Sequence, residues 1–189
     1  NKKLKKLLPM HDLVIVSDYG HGLISKKTSE IICKNSKYLA LNAQINAANV
    51  GYHSMRKYKN IDCVIINEKE IRHELRDKNG NIKFLIKKLA HSQKIQNTIV
   101  TQGVNGSILY NKKINKFISS DGLAKKAVDK IGAGDAMLSL IALGLKSQFA
   151  KELSLLIGSL AAAQSVETMG NKVSINKIRI LKSIEHLLK

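Results

Sequence analysis

The chain has 189 residues, of which 44% are hydrophobic and 24% charged, and its formal net charge at pH 7 is +18. This composition is typical of a globular protein and excludes an intrinsically disordered one. The longest apolar stretch, near residues 153–163, is too short to span a bilayer, and no apolar segment of a secretory signal follows the basic residues at the start. Two unclustered cysteines, Cys33 and Cys63, favour a reducing, cytoplasmic setting with no membrane partner.

The positive charge raises the question of nucleic-acid binding. Only four of the 32 basic residues are arginine, and aromatic residues make up 4% of the chain. Because base reading and stacking favour arginine and aromatic side chains, we expect a uniformly basic surface that suits an anionic substrate, with no specific nucleic-acid partner. A basic nucleic-acid-binding protein stays open as an alternative.

Short β-rich apolar runs alternate with helical patterns along the chain. In chain order, the sequence first predicts a basic amphipathic segment at 2–8, a strand at 13–17, a helix from a Ser25 cap to about residue 37, and a strand at 38–41. It then predicts a strand at 63–66, helices from 67 and at 82–91, a strand at 98–101, and a hairpin at 107–110 and 116–119. Three helices follow, at 136–146, at about 151–166 and over 175–187. This alternation predicts an α/β fold, a parallel sheet with helices on both faces. Because there are no internal repeats and no linker, we expect one domain over residues 1–189.

Polar and glycine residues follow the predicted strands, at the sheet edge where α/β proteins bind ligands. Asp18 ends the first strand, and His21 follows it as the one histidine at this edge. Asn67 follows the third strand, and Glu70 stands three residues later, which is the spacing of a helix capping box.

The run Val128–Ala136 holds Gly132, Ala133, Gly134 and Asp135 directly before a strongly apolar helix pattern. These small residues let backbone N–H groups approach an anion, and a helix N-terminus carries donors and a positive partial charge that suit a phosphate. A carboxylate at residue 135 has two uses, since it can cap the helix or take a proton from an alcohol that attacks a phosphoryl group.

These motifs together resemble a known family. The run Asp129–Asp135 is similar to the Asp-Thr-x-Gly-Ala-Gly-Asp signature of the ribokinase/PfkB carbohydrate kinases, although Lys130 replaces the usual Thr or Ser. Asn67-x-x-Glu70 and Thr101-x-Gly103-x-x-Gly106 resemble two further motifs of that family, in the same order and at comparable spacings. Within the family, residues 17–22, 42–44, 57–58 and 160–170 look most like the kinase domain of bifunctional heptose 7-phosphate kinase/adenylyltransferases.

The resemblance implies a ribokinase-like three-layer sandwich with a mostly parallel sheet. It also implies an ATP- and Mg²⁺-dependent kinase that acts on a sugar or sugar phosphate. A homodimer of the full-length parent protein is a further possibility that the resemblance leaves open. Family members begin with a sugar-binding segment and a small β-sheet lid that nothing before Leu13 supplies. We therefore expect the chain to be the C-terminal portion of such a kinase domain. A catalytically inactive nucleotide-binding fragment is the alternative.

The resemblance also implies roles for individual residues. Asp135 would be the general base, and Gly132, Ala133 and Gly134 would form the anion hole. Asn67 and Glu70 would bind Mg²⁺, largely through water. Asp129 would contact a monovalent cation, and Asp18 would contact the substrate. The residues implied to bind the nucleotide are Thr101, Gly103, Gly106, Ala162 and Gly170.

Each role has a purely structural alternative. Asp135 can be only a helix cap, the glycines only a tight turn, and Asn67 with Glu70 only a capping box. Thr101, Gly103 and Gly106 can form an ordinary strand–turn–strand, Asp18 can simply end a strand, and Asp129 can pair with a nearby lysine.

Overall fold

The computed structural model describes residues 1–44, 54–124, 126–169 and 173–187. Six strands form one sheet with the spatial order β1-β2-β3-β4-β5-β6. The strands are β1 (Val14–Asp18), β2 (Leu39–Ala43), β3 (Cys63–Asn67), β4 (Asn97–Thr101), β5 (Ser107–Asn111) and β6 (Lys116–Ser120). The helices are α1 (Lys2–Leu7), α2 (Lys26–Asn35), α3 (Glu68–Leu75), α4 (Ile82–Ser92), α5 (Ala133–Lys146), α6 (Lys151–Val166) and α7 (Lys177–Leu187).

Strands β1 to β4 pair in parallel. The adjacent strands β4 and β5 are joined by residues 102–106, and β5 and β6 by residues 112–115. These connections are too short for a parallel crossover, so β5 and β6 add an antiparallel hairpin to the parallel strands. The predicted α/β fold with a mostly parallel sheet is confirmed.

The central strands are buried on both faces. Leu41, Val64 and Val100 pack into a core with Ile71 and Leu85 of α3 and α4. The residues that alternate with them point to the opposite face and are also buried; they are Ala40, Cys63, Ile65 and Ile99. Burial on both faces explains why these strands read as continuous apolar runs in the sequence.

The chain divides into two compact units. The first comprises Asn1–Thr101 and Ile108–Ile118, and the second comprises Gln102–Ser107 and Ser119–Lys189. In the second unit, Leu160 and Ala161 of α6 and Ile180 of α7 form a buried cluster with partly buried apolar neighbours that include Leu123 and Ile184. The assignment of residues 1–189 to a single kinase domain stays a prediction.

Most predicted elements are present within a residue or two of their expected ends. The Ser25 hydroxyl accepts a hydrogen bond from Thr28 N at 3.2 Å, as expected of a helix cap. Helix α5 is the exception, because it begins at Ala133 and not at Ala136. Gly132 adopts φ 80°, which ends the turn there and leaves the next three residues helical. Over the described ranges, no helix is both long and apolar enough to cross a membrane.

Candidate active site

Three of the predicted site residues end parallel strands of the first unit. Asp18 is the last residue of β1, Asn67 of β3 and Thr101 of β4. Because these strands run in the same direction, the three residues lie along one edge of the sheet. Asn67 and Thr101 are direct register partners on adjacent strands. The structure therefore brings the first residues of two of the three sequence motifs side by side.

Asn67 and Glu70 form the predicted capping box at the start of α3. The Asn67 Oδ1 atom accepts from Glu70 N at 2.8 Å, and Glu70 Oε2 accepts from Asn67 N at 2.8 Å. The Glu70 residue is 6% exposed, so its carboxylate is fixed by packing as well as by these bonds. This geometry confirms the cap, and it places an amide oxygen and a carboxylate at the ligand edge of the sheet.

The neighbouring carboxylate of Glu68 has a different environment. Arg72 binds Glu68 Oε1 through Nε at 3.1 Å and through an NH2 group at 2.7 Å, one turn along the helix. The same guanidinium donates to the carbonyl oxygens of Lys78 and Gly80. Glu68 thus belongs to an ion pair on the helix surface, which separates its role from that of Glu70.

A dense cluster of polar contacts surrounds Asp18. Its Oδ2 atom accepts from the Tyr58 hydroxyl at 2.7 Å and from Lys57 Nζ at 2.7 Å, and its Oδ1 atom accepts from Gly20 N at 3.0 Å. Burial by itself would raise the pKa of Asp18, but the bonds from Lys57, Tyr58 and Gly20, together with the Lys57 charge, hold it below its ordinary value.

Burial and the bond to Asp18 raise the pKa of the Tyr58 hydroxyl. Asp18 is 4% exposed and its carboxylate is occupied by internal donors. This geometry favours a structural role for Asp18 over the substrate contact predicted for it. Sequence reasoning missed Lys57 and Tyr58 as its partners.

The glycine turn lies in the second unit, at the N-terminus of α5. Gly132 is the N-cap residue, and Ala133, Gly134 and Asp135 form the first helical positions. The interpretation of Asp135 as the cap is therefore wrong, because a carboxylate three residues inside the helix is not in the N-cap position. Since Gly132 has no side chain, the cap supplies no side-chain acceptor to the first N–H groups.

Asp129 precedes this turn and shapes it. Its Oδ1 atom accepts from Ile131 N at 3.0 Å, and the backbone N–H groups of Val128 and Asp129 donate to the Val166 carbonyl at 2.7 and 3.1 Å. The turn before α5 is thereby tied to the end of α6. The Asp129 carboxylate lies within the same short segment as the predicted anion hole.

Gly103 and Gly106 lie in the connection between β4 and β5. Residues 103–105 form a single 3-10 turn, and Gln102 N donates to Gly106 O at 2.8 Å. Gly106 has φ 83°, and a Cβ atom at this position would lie 2.0 Å from the Ser120 carbonyl oxygen. The turn therefore requires glycine at residue 106 for both conformational and steric reasons.

Helix α6 of the second unit borders a cleft of about 490 Å³. Residues from α6 and its C-cap, from α7 and from the segment before α5 line this cleft; they are Leu123, Lys126, Leu160, Ala163, Gln164, Glu167, Arg179 and Ser183. Ala162, predicted to bind nucleotide, lies on α6 and is not among these lining residues. Gly170, the other residue predicted there, lies outside the described residues.

Within the described ranges, no group of three or more His, Cys, Asp and Glu side chains is arranged to hold a metal ion. A divalent cation at the ligand edge would therefore depend on one or two protein oxygens, with waters and ligand oxygens completing its shell. This is the usual manner of Mg²⁺, which keeps several waters when it binds beside phosphates.

Residues 3–178 match the family described as pfkB family carbohydrate kinase. The chain belongs to the pfkB family of carbohydrate kinases. Kinases of this family use ATP and Mg²⁺ in general, and they act on carbohydrates. The predicted membership of this family is thus confirmed over residues 3–178.

The curated relatives are bifunctional proteins. The chain is 29% identical over 185 residues to Bifunctional protein HldE of Campylobacter fetus subsp. fetus, covering 96% of this chain and 39% of that protein. It is 26% identical over 167 residues to Bifunctional protein HldE of Desulfatibacillum aliphaticivorans, covering 86% of this chain and 33% of that protein. The chain therefore spans roughly a third to two fifths of the length of these relatives.

Solved structures confirm the fold. Phosphofructokinase-2 from Escherichia coli in complex with potassium aligns with a TM-score of 0.80 at 15% identity, over 100% of this chain and 62% of that one. Ribokinase from Thermotoga maritima aligns with a TM-score of 0.79 at 22% identity, over 98% and 61% of the two chains. The fold of this pfkB family member is therefore that of the ribokinase-like kinases.

Proposed function

We propose that the chain supplies the nucleotide site and the catalytic base of an ATP-dependent kinase whose acceptor is a sugar phosphate of the heptose 7-phosphate type. One observation carries this proposal. The family's glycine-rich motif caps α5 with a residue that has no side chain, and Asp135 follows in the first helical turn. A turn built in this way offers backbone donors to a phosphoryl group and a carboxylate next to them.

In this proposal Asp135 is the general base. The acceptor hydroxyl would lie within hydrogen-bond reach of the Asp135 carboxylate, which takes its proton as the oxygen attacks the γ-phosphorus; the bond from that phosphorus to the β,γ-bridging oxygen breaks and ADP leaves. Phosphoryl transfer requires in-line positioning and charge neutralisation more than covalent chemistry from the protein. The fixed place of Asp135 in a helical turn suits this positioning role.

The N–H groups of Gly132, Ala133 and Gly134 would hold the oxygens of the transferred group. Donors at a helix N-terminus point along the helix axis, and the helix dipole adds a positive partial charge. Negative charge that develops on the phosphoryl oxygens would be stabilised there without reorganisation of the chain. Asp129 would contact a monovalent cation beside this turn.

Asn67 and Glu70 fit a magnesium ion bound mostly through water. Both present hard oxygen donors at the ligand edge, and the capping box fixes their orientation. When bound, Mg²⁺ neutralises phosphate charge. Thr101, Gly103 and Gly106 would border the nucleotide phosphates and ribose, with Ala162 near the base.

Calorimetric titration and a coupled ADP-release assay test this function. We expect ATP with Mg²⁺ to bind the chain more tightly than any free sugar does. In the assay, heptose 7-phosphate should support more ADP release than ribose or fructose 6-phosphate. Absence of nucleotide binding would overturn the proposal. Nucleotide binding without turnover on any acceptor would instead assign the chain as a catalytically inactive nucleotide-binding protein.

Titrations with oligonucleotides of several defined sequences separate this function from nucleic-acid binding. A chain with a net charge of +18 will attract polyanions at low salt. We expect that attraction to disappear at 200 mM salt and to show no sequence preference. Tight, sequence-selective binding at that salt concentration would favour the nucleic-acid alternative.

A further inference from the structure

Five residues leave the carboxyl end of β1 and lead toward α2. This segment, residues 19–23, is here called the β1 loop. It follows Asp18 at the same sheet edge as Asn67 and Thr101. Its residue Leu23 is 91% exposed and His21 is exposed as well. An exposed segment with two glycines has many accessible conformations unless other groups hold it.

Lys57 contacts the residues on both sides of the β1 loop. Its ammonium group donates to Asp18 Oδ2 at 2.7 Å, before the loop, and to the Ile24 carbonyl oxygen at 2.7 Å, after the loop. Asp18 also accepts from Gly20 N, within the loop, at 3.0 Å. One cation therefore joins the two ends of the loop through charge-assisted bonds, which are the stronger kind of hydrogen bond.

Lys57 is itself held by its surroundings. It ends a 3-10 turn, Met55–Lys57, and its carbonyl oxygen accepts from Ser29 Oγ of α2 at 3.1 Å. The next residue, Tyr58, is 0% exposed and donates its hydroxyl to the same Asp18 oxygen. The turn is thus fixed on both sides of the lysine side chain.

A second buried carboxylate holds the start of this turn. Glu74 of α3 accepts from Ser54 Oγ at 2.8 Å and from Arg56 Nε at 3.1 Å. Arg56 also donates through an NH2 group to the Glu74 carbonyl at 3.0 Å. The segment that carries Lys57 is therefore attached to α3, the helix whose first turn is the Asn67–Glu70 capping box.

We propose that Lys57 is a positioning residue that clamps the β1 loop at the ligand edge of the sheet, so that the loop is preorganised to meet the acceptor substrate. The clamp follows from the contacts of Lys57. Its effect on the acceptor rests on the proposed function. Lys57 and Asp18 are bonded to each other and to the loop, so they act on a ligand through the loop and not by direct contact.

Amide hydrogen exchange of the full chain tests the clamp without any need for catalysis. We expect Lys57→Met to speed exchange of the amides of residues 19–24 by about tenfold, since a hydrogen bond to a charged group is lost while the aliphatic stem stays. Lys57→Arg, which keeps the charge, should restore at least half of the lost protection. Tyr58→Phe, a milder change that removes one donor to Asp18, should give a smaller increase of about threefold.

Lys59→Met is the matched control, because Lys59 donates to Gln93 Oε1 at 2.8 Å and lies two residues from the clamp. The amide exchange rates of the β1 loop in the Lys59→Met variant should equal those of the wild type. If the amide exchange rates of the β1 loop in Lys57→Met and in Tyr58→Phe both equal those of the wild type, the proposed clamp is wrong. An equal loss of protection throughout strands β1 to β4 would also contradict it.

The kinase assay then tests the link to the acceptor. Lys57→Met should raise KM for the sugar phosphate about tenfold and leave KM for ATP and kcat within about twofold, because only the loop is released. Faster loop exchange with an unchanged acceptor KM would overturn this link. If no sugar phosphate is turned over by the wild type while the exchange result holds, the proposed function fails and the clamp stands.

Discussion

Asn67 and Thr101 are register partners at the carboxyl ends of the adjacent parallel strands β3 and β4. Neighbouring strands lie about 4.8 Å apart. The first residue of the capping box and the last residue of β4 are therefore one strand spacing apart, although α3 and α4 separate them along the chain. A cation held at Asn67 would stand beside an anionic ligand held at Thr101, so substitutions at these two residues should affect the same complex.

Replacing Glu70 tests the magnesium role. Glu70→Gln keeps a residue that can complete a capping box at this position, so the fold should persist, but it removes the negative charge. We expect the Mg²⁺ concentration that gives half-maximal ATP binding to rise about tenfold or more, measured by calorimetric titration at fixed ATP. Glu68→Gln is the control, since Glu68 is paired with Arg72. Equal shifts in both variants would show that only the general charge of the helix start matters.

Replacing Asp135 tests the general base. Asp135→Asn preserves the shape of the side chain in the first turn of α5 and removes its capacity to accept a proton. We expect kcat to fall by about 10²–10⁴-fold and the dissociation constant of ATP with Mg²⁺ to change by less than about threefold. The measurements are steady-state ADP release and titration calorimetry, with the exposed Asp121→Asn as control. An unchanged kcat would contradict the catalytic assignment.

Two glycines of one turn should respond differently to alanine. Gly106 has φ 83° and its added Cβ would lie 2.0 Å from Ser120 O, whereas Gly103 has φ 62° and open space at the Cβ position. Gly103→Ala should lower the free energy of unfolding by only about 1–2 kcal/mol, the cost of the left-handed conformation. Gly106→Ala should cost more and should also weaken ATP binding. Urea unfolding of both variants checks this order, and equal losses would contradict it.

The Asp18 cluster should make stability depend on acid pH. Because its pKa in the folded state is held below the unfolded value, Asp18 contributes stability that is present above the unfolded pKa, near 3.9, and is lost as pH falls through the lower folded pKa. Asp18→Asn should lower the free energy of unfolding at pH 7 by about 1.5–3 kcal/mol. Below about pH 4 the difference from the wild type should shrink.

Urea unfolding at pH 7, 5 and 3.5 measures this convergence. Asp12→Asn is the control, because Asp12 forms an exposed ion pair with Lys37 at 3.1 Å that should contribute little at any pH. A stability difference between wild type and Asp18→Asn that is the same at all three pH values would show that the carboxylate charge is not the stabilising feature.

Local features were predictable from the sequence and distant contacts were not. The capping box at Asn67 and Glu70 and the cap at Ser25 depend on residues three apart, so their spacing was sufficient evidence. The bounds of α6 follow from a long apolar pattern. The sequence predicts the start of α5 three residues too late, because that start depends on the positive φ of Gly132, a conformation that glycine permits but does not require.

The partners of Asp18 illustrate the other limit. Tyr58 lies 40 residues away along the chain, and only the fold brings its hydroxyl to the end of β1. Sequence position therefore marked Asp18 as a residue at the ligand edge but could not show that its carboxylate is occupied. The same applies to Lys57, which the family resemblance singles out together with Tyr58 but whose contact with Asp18 the sequence does not show.

The different burial of the two cysteines makes them probes of local unfolding. Cys63, the first residue of β3, is fully buried on one face of the sheet, and burial raises the pKa of its thiol; Cys33 on α2 is half-buried. Since the thiolate is the reactive form, an aqueous thiol reagent can modify Cys63 only when that face of the sheet becomes accessible to solvent, whereas Cys33 needs only a local opening. The ratio of the two labelling rates would therefore distinguish fraying of a surface helix from exposure of the central sheet.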